Sequence, residues 1–316
     1  MKNISVILCC HNGAQRLRPT LEHLAKQKLS AMLSWELVFV DNASTDGSAD
    51  VVRQLWAEMM PVGTLKVVAE PKTGLIHARR AGIVAAEGDL VVFCDDDNWL
   101  QDDYLQIAYN LLTDHPEYGA VGGRGIAVAD MPLPAEWAEW EGDYACGRIA
   151  AESCVCDYRR SLFGAGLATR RALMQKVFAA PFVLCGRQGT VLTSGDDSEI
   201  CDRIMLAGYH LYYEERLVFQ HYMPNERLTD AYHHRLLQGF EQMYGQLEHY
   251  SAAIVYGRMT RWQLLQESCR RIGSVLLRHN GRSLYKLKVF LIHGLGLMCL
   301  ADDIAKQIRN VQKIMQ

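Results

Sequence analysis

Three adjacent aspartates, Asp95, Asp96 and Asp97, end the apolar run in "VVFCDDDNWL" (91–100). Like charges repel, and a carboxylate beside low-dielectric surroundings is costly unless something compensates it. Carboxylate oxygens at a strand end favour a hard divalent cation, Mg2+ or Mn2+. Such an ion would offset the clustered charge and bridge a diphosphate. The plainer alternative is a solvated acidic turn that caps the following helix.

Other polar groups with chemical capacity also follow apolar runs. In "VDNASTDGS", Ser44 or Thr45 with Asp46 can start the next helix as a cap. Asp41 is not needed for that cap and can accept a hydrogen bond from a ligand NH. In "HNG", Asn12 and Gly13 permit close backbone approach to a ligand, or form only a turn. Arg79 in "GLIHARRAG" can pair with a diphosphate, or Arg79 and Arg80 can be solvated on a helix. "SGDDSE" sets Asp196, Asp197 and Glu199 before a helix. An acidic first turn complements the helix dipole, and a carboxylate there can equally serve as a general base. His221 in "VFQHYMP" is a lone histidine, a type more often structural than ligating.

These groups need a scaffold that brings them together. "ISVILCC" (4–10) reads as a buried strand, and "ELVFVD" (36–41), "LKVVAE" (65–70) and "DLVVFCD" (89–95) as three further strands. Helical patterns separate them, at 48–59 and 75–88 among others, and another follows at 103–115. This alternation with continuous apolar strands predicts a mostly parallel, Rossmann-like α/β sheet covered on both faces. Such sheets bind ligands beyond the carboxyl ends of their strands, so "CCHNG", "VDNASTDGS" and "CDDDN" should share one crevice. Residues 118–124 resemble a further strand and 209–222 are strand-like. Residues 163–177 read as a glycine-rich turn into a helix, and 125–160 as a loop or lid with Trp137 and Trp140. Beyond about residue 226 the pattern is helical and increasingly basic.

Composition is that of an ordinary globular chain: 316 residues, 49% hydrophobic, 22% charged. The net charge of −3 argues against a nucleic-acid binder. Of the ten cysteines, Cys9, Cys10 and Cys94 sit in apolar runs, and the Cys154/Cys156 spacing is a poor fit to a zinc pair. With no signal-peptide pattern ahead of the first strand, a reducing cytoplasm is expected. Charge is unevenly placed. Residues 258–288 hold eight Lys/Arg against one acid, Glu267, so this segment is +7 and the remainder −10.

Taken in order, "VILCCHNG", "LVFVDNASTDGS", "KTGLIHARRAGI", "VVFCDDDNWL", "FGAGLATRRAL", "GRQGTVLTSGDDSE" and "AGYHLYYEERLVFQH" resemble a family 2 glycosyltransferase with the GT-A fold. The resemblance covers roughly residues 1–224. It implies a catalytic domain over 1–225, with a nucleotide-binding part to about 124 and an acceptor part from 125. Residues 226–316 are left as a helical, basic C-terminal appendage. Asn12 and Asp41 would hold the nucleotide base, usually uracil, and Arg79 would lie near the nucleotide. Asp95 would face the ribose or sugar and Asp97 the metal, with Asp96 sharing either role. Asp197 would be the base, and His221 would complete a Mn2+ or Mg2+ site. Trp99, the Trp137/Trp140 loop and the "GRQG" loop would bear on which sugar and acceptor are used.

The implied activity is inverting transfer from a nucleotide-sugar donor, a UDP-sugar foremost, to a glycan or lipid-linked acceptor in cell-surface polysaccharide biosynthesis. A sugar nucleotidyltransferase also needs a parallel sheet and a metal-bound nucleotide, but no glycine-rich triphosphate loop stands near the N-terminus. A non-catalytic nucleotide-sugar-binding protein is the third class. The longest apolar stretch of the C-terminal region, "VFLIHGLGLMCLA", is too short for a confident membrane span. A basic, apolar helix there can lie on the inner face of a plasma membrane through residues 258–301, or pack on the catalytic domain or another subunit.

Overall fold

The computed structural model describes residues 2–156, 158, 160–184, 195–278 and 280–315. The chain begins with β1 (Ile4–Cys10), α1 (Leu17–Ala25), β2 (Trp35–Asp41), α2 (Ser48–Met59), β3 (Thr64–Ala69), α3 (Leu75–Ala85), β4 (Leu90–Asp95), β5 (Asn98–Leu100) and α4 (Tyr104–Asp114). It continues through β6 (Tyr118–Val128), the short α5 (Trp137–Trp140) with a 3-10 turn at Glu141–Tyr144, β7 (Cys154–Cys156), β8 (Ala168–Arg170), α6 (Arg171–Val177), α7 (Asp196–Leu206) and β9 (His210–Tyr222). The helices α8 (Asp230–Gly257), α9 (Arg261–Arg278), α10 (Gly281–His293) and α11 (Asp303–Met315) follow.

Among the described residues the strands form one sheet in the order β3-β2-β1-β4-β8-β6-β9-β5, with β7 paired to β9. The β3-β2-β1-β4 block is parallel, as expected for strands whose apolar runs are continuous. Every residue of β1 is buried. Because side chains alternate across a strand, Ile7 and Cys9 enter one core while Val6, Leu8 and Cys10 enter the other. Helices α1, α2 and α4 cover the second face; α3, α6 and α7 cover the first.

The register sets the height of the polar groups. Cys10 lies opposite Asp41, and Cys9 opposite Asp95. The carboxyl ends of β1, β2 and β4 therefore lie level at one edge of the sheet.

The C-terminal helices share this core. Tyr250, Ala253 and Ile254 of α8, with Ile308, Val311 and Met315 of α11, join the buried cluster that holds Ile7 and Val91. Thr229 begins α8 by accepting a hydrogen bond from the Tyr232 N–H on its side chain, the usual way a hydroxyl satisfies an open helix start. Sharing of the core by α8 and α11 answers the open question of where this region packs: onto its own sheet. Three strands do not appear in the periodicity. β5, β7 and β8 are three residues each, too short for an alternation to register, and β8 replaces part of what reads as a turn into a helix.

Candidate active site

A cleft of about 680 Å3 opens beyond the ends of β1, β2 and β4. Asp95, Asp96, Asp97, Arg79, Asp197 and His221 all line it, so residues far apart in sequence meet there.

Asn98 organises the acidic turn. Its Oδ1 accepts from the Asp95 backbone N–H at 3.2 Å, and its Nδ2 donates to Asp97 Oδ1 at 3.2 Å. Because β5 pairs with β9, Asn98 stands opposite His221. That pairing carries the histidine to the turn. His221 Nδ1 donates to the Tyr144 carbonyl at 2.9 Å, which leaves Nε2 turned to Asp97 Oδ1 at 3.5 Å. A histidine whose Nδ1 is fixed on a carbonyl is in the tautomer that offers Nε2 as a ligand.

Two arginines answer the charge of the turn. Arg227 Nη1 lies 2.9 Å from Asp97 Oδ2, and Arg16 Nη2 lies 2.7 Å from Asp96 Oδ2. Thr20 Oγ1 also donates to the Asp96 carbonyl at 2.9 Å. Burial pushes the Asp96 carboxyl up to about 6, with the Asp97 charge adding and Arg16 opposing. Asp95 is likewise raised, by burial first, with Arg79 opposing.

On the other wall, Arg79 of α3 is buried, its guanidinium 5.1 Å from the centre of the Phe93 ring. It donates to Asp196 Oδ2 at 3.1 Å and to Asp197 Oδ1. Burial opposes its charge, and Asp197 and then Asp196 more than offset that cost. The solvated-helix alternative thus fails for Arg79. Arg80 also has a fixed structural partner, the Phe178 carbonyl at 2.7 Å.

The acidic start of α7 divides into distinct environments. Gly195, at φ +102°, turns the chain into the helix in a conformation that L side chains rarely adopt. The Asp196 side chain is 8% exposed and that of Asp197 is 37% exposed, so Asp197 is the open carboxylate of the pair. Gly164 makes room for it: a Cβ at that position would collide with the Asp197 carboxylate. Glu199 points elsewhere. It is fully buried, accepts from Arg203 Nη2 and Tyr250 Oη at 2.7 Å each, and takes the backbone N–H groups of Val183 and Leu184. Its work is to tie α7 to α8.

Asn12 and Asp41 lie at the expected strand ends but outside the lining of the cleft. Asn12, at φ +52°, accepts from the Thr45 backbone N–H at 2.8 Å, and Asp41 accepts from the Ser44 N–H at 3.0 Å. Asp46 takes the Ala14 and Ser48 N–H groups, a structural role, although the N-cap of α2 is Gly47 and not Ser44, Thr45 or Asp46. At this end the cleft is lined instead by His11, Asn42 and Thr73 to Leu75. Asn42 pins that stretch through bonds to the Glu70 and Lys72 carbonyls and the Gly74 N–H.

Sequence reasoning missed Arg16, Arg227 and the α8 contribution of Phe240, Met243 and Tyr244, all of which line the cleft. Neither arginine carries a signal in the sequence, since each is brought to its carboxylate only by the fold. The tryptophans brace the walls. Trp99 stacks between His23 and Tyr222, while Trp140 stacks on His233 and Trp137 packs on Tyr144. The last two hold the Gly142–Ala145 stretch that lines the cleft. The "GRQG" loop (186–189) lies outside the described residues.

Among the described residues no group of three or more His, Cys, Asp or Glu is arranged around a common metal position. Asp97 and His221 nonetheless make a compatible pair of donors. Mg2+ in particular is commonly held by one or two protein ligands, with substrate phosphates and waters supplying the rest.

The model of the family described as "Glycosyl transferase family 2" matches residues 5–142, the stretch that carries β1 to β6 and the three aspartates. Over these residues the chain matches glycosyl transferase family 2. Proteins similar to this chain include the putative glycosyltransferase EpsH of Bacillus subtilis, 30% identical over 103 residues, which are 33% of this chain and 28% of EpsH. The match to glycosyltransferase GlyA of Streptococcus pneumoniae spans 16% of that protein, so the alignments cover well under a third of these relatives. Solved structures resemble the chain over nearly all its length. The mannosyltransferase PcManGT of Pyrobaculum calidifontis, in complex with GDP-Man and Mn2+, has a TM-score of 0.56 at 19% identity, covering 99% of this chain and 84% of that one. TarS 1–349 of S. aureus, in complex with UDP-GlcNAc, has a TM-score of 0.53 at 17% identity, covering 100% and 90%. These likenesses show the fold, which is GT-A.

Proposed function

We propose that this chain transfers a sugar from a nucleotide-sugar donor, a UDP-sugar foremost, to a hydroxyl of a glycan or lipid-linked acceptor, with inversion, in the assembly of a cell-surface polysaccharide. The observation that carries this reading is the meeting of two carboxylate groups in one cleft: Asp95 to Asp97 with His221 on one wall, and Asp197 on the other. Complexes of solved GT-A neighbours with UDP-GlcNAc and with GDP-Man and Mn2+ support the donor class.

In this reading the base of the nucleotide lies toward His11 and Asn42, with Asn12 and Asp41 at the rim. Arg79 and Asp95 lie beside the ribose, diphosphate and sugar, and Asp96 completes the acidic wall. Asp97 and His221 would hold Mn2+ or Mg2+. When bound, that ion supplies positive charge against the diphosphate leaving group. Asp197 Oδ removes the proton of the acceptor hydroxyl while that oxygen attacks the anomeric carbon and the bond to the diphosphate breaks. One displacement inverts the anomeric configuration without a covalent enzyme intermediate. Arg79 fixes the orientation of Asp197. The chain would work in the cytoplasm, held peripherally at the inner face of the plasma membrane through residues 258–301. Among the described residues no helix is long and apolar enough to cross a membrane.

The experiment is a donor screen. The full chain is incubated with a panel of UDP- and GDP-sugars, with and without EDTA, and released nucleoside diphosphate is measured. Release from one donor, abolished by chelation and restored by Mn2+ or Mg2+, is the expected result. Pyrophosphate release from a nucleoside triphosphate and a sugar phosphate would instead establish a nucleotidyltransferase. Tight donor binding with no turnover toward any acceptor would leave only a binding protein.

A further inference from the structure

Helix α9 is turned the opposite way from an ordinary surface helix. A helix on a globular protein lays its apolar stripe on the core and its charges outward. Along α9, Trp262, Leu265, Ile272 and Leu276 recur at helical spacing, and their exposures are 66%, 53%, 50% and 63%. Cys269, also exposed, completes the stripe between Leu265 and Ile272. Leu277 beside it is 85% exposed. The side turned to the protein is the more polar one. Glu267 and Arg271 pair at 2.7 Å, Arg271 donates to Tyr256 Oη at 2.9 Å, and Ser274 meets Ser283 of α10. Only Leu264 among these inward positions joins the cluster of Tyr256 and Phe290.

Basic side chains border the exposed stripe. Arg261 lies on one side of it and Arg270 on the other, and both are exposed. The segment 258–288 as a whole is +7 in a chain whose remainder is −10. An exposed apolar face that includes tryptophan and is flanked by arginines suits the interfacial layer of an anionic bilayer, where rings and aliphatic chains enter the acyl boundary and cations meet headgroup phosphates. A second copy fits less well. A two-fold contact sets the same patch against itself, here one +7 segment against another.

We propose that the outward face of α9, Trp262–Leu265–Cys269–Ile272–Leu276 with Arg261 and Arg270, is a docking surface for anionic phospholipid bilayer. It sharpens the peripheral location proposed above to one helix face and one lipid charge class. Because α8 both lines the cleft, through Phe240 to Tyr244, and leads directly into α9, docking there ties the cleft to the membrane surface.

The test is flotation of the full chain with vesicles of phosphatidylcholine alone or mixed with phosphatidylglycerol, at low and high salt, alongside sedimentation velocity without lipid. Two double variants are compared, Leu265→Asp with Leu276→Asp and Arg261→Glu with Arg270→Glu. Expected are binding to the phosphatidylglycerol vesicles, its decline with salt, and a loss of about tenfold or more in either double variant. Unchanged melting temperature and unchanged nucleotide affinity would show that each variant is folded. No binding to phosphatidylglycerol vesicles by the native chain, or undiminished binding by the Leu265/Leu276 variant, would overturn the proposal. So would a lipid-free dimer that the same substitutions dissociate. Vesicle binding requires no donor, so its failure would leave the transfer reading standing, and a failed donor screen would leave this one standing.

Discussion

Arg227 Nη1 sits 2.9 Å from Asp97 Oδ2, on the same carboxylate that faces His221 Nε2 from its other oxygen. Arg227 thus already sets a positive charge on the carboxylate that a divalent cation would use. A guanidinium and a cation on one carboxylate repel each other. Arg227→Gln should therefore raise the affinity for Mn2+ in the absence of nucleotide by about tenfold, the scale of one charged hydrogen bond. It should also weaken nucleoside diphosphate, which loses an arginine from the cleft wall. Mn2+ titration followed by electron paramagnetic resonance, with calorimetry for UDP and GDP, measures both. Unchanged affinities for both ligands would mean that Arg227 only packs.

Gly164 and Asp197 are in close apposition, with no space for a side chain between them. Gly164→Ala must push the carboxylate aside. A base displaced by about 1 Å can lose on the order of a hundredfold in rate. Steady-state kinetics should show this loss in kcat with KM for the donor largely kept. A native kcat would show that the position of Asp197 is not critical.

Asp202 of α7 is buried. Burial first, and the nearby Glu199 second, push its proton affinity well above the ordinary carboxylate range. The folded state therefore binds this proton more tightly than the unfolded chain does. The contribution of this group to stability is complete below the unfolded value, near about 4, and is lost as the pH rises through the folded value. Asp202→Asn should raise the melting temperature at pH 7, with the gain shrinking as the pH falls toward the unfolded carboxylate range. Thermal melts of both proteins across that range decide it. An equal or lower melting temperature at pH 7 would show that the charged form is accommodated.

The scaffold was legible where a single physical signal dominated. β1, β2 and β4 announce themselves as largely apolar runs because a parallel sheet buries them on both faces, while β3, the half-exposed edge strand, keeps a Lys in its run. The three-residue strands β5, β7 and β8 carry no period and exist only because longer partners pair with them. In the cleft, Asp95 to Asp97 stood out because charge directly after a buried run is expensive. Arg16 and Arg227 did not, since a lone arginine in a loop reads as solvated until the fold brings a carboxylate to it. The "SGDDSE" group shows the same limit. Its carboxylates look equivalent in sequence, yet one is open to the cleft, one lies buried against Arg79 and one is sealed with Arg203 and Tyr250. The basic excess of 258–288 was plain from counting, but only packing against Tyr256 reveals which side of α9 faces out.

The most direct measurement sets Asp197→Asn beside the native chain, with the donor that the screen identifies. Donor binding is followed by calorimetry and transfer by release of nucleoside diphosphate in the presence of acceptor. If Asp197 is the base, transfer falls by about 100- to 10,000-fold while donor affinity stays within about twofold. Transfer at the native rate by Asp197→Asn would contradict the assignment and the mechanism built on it.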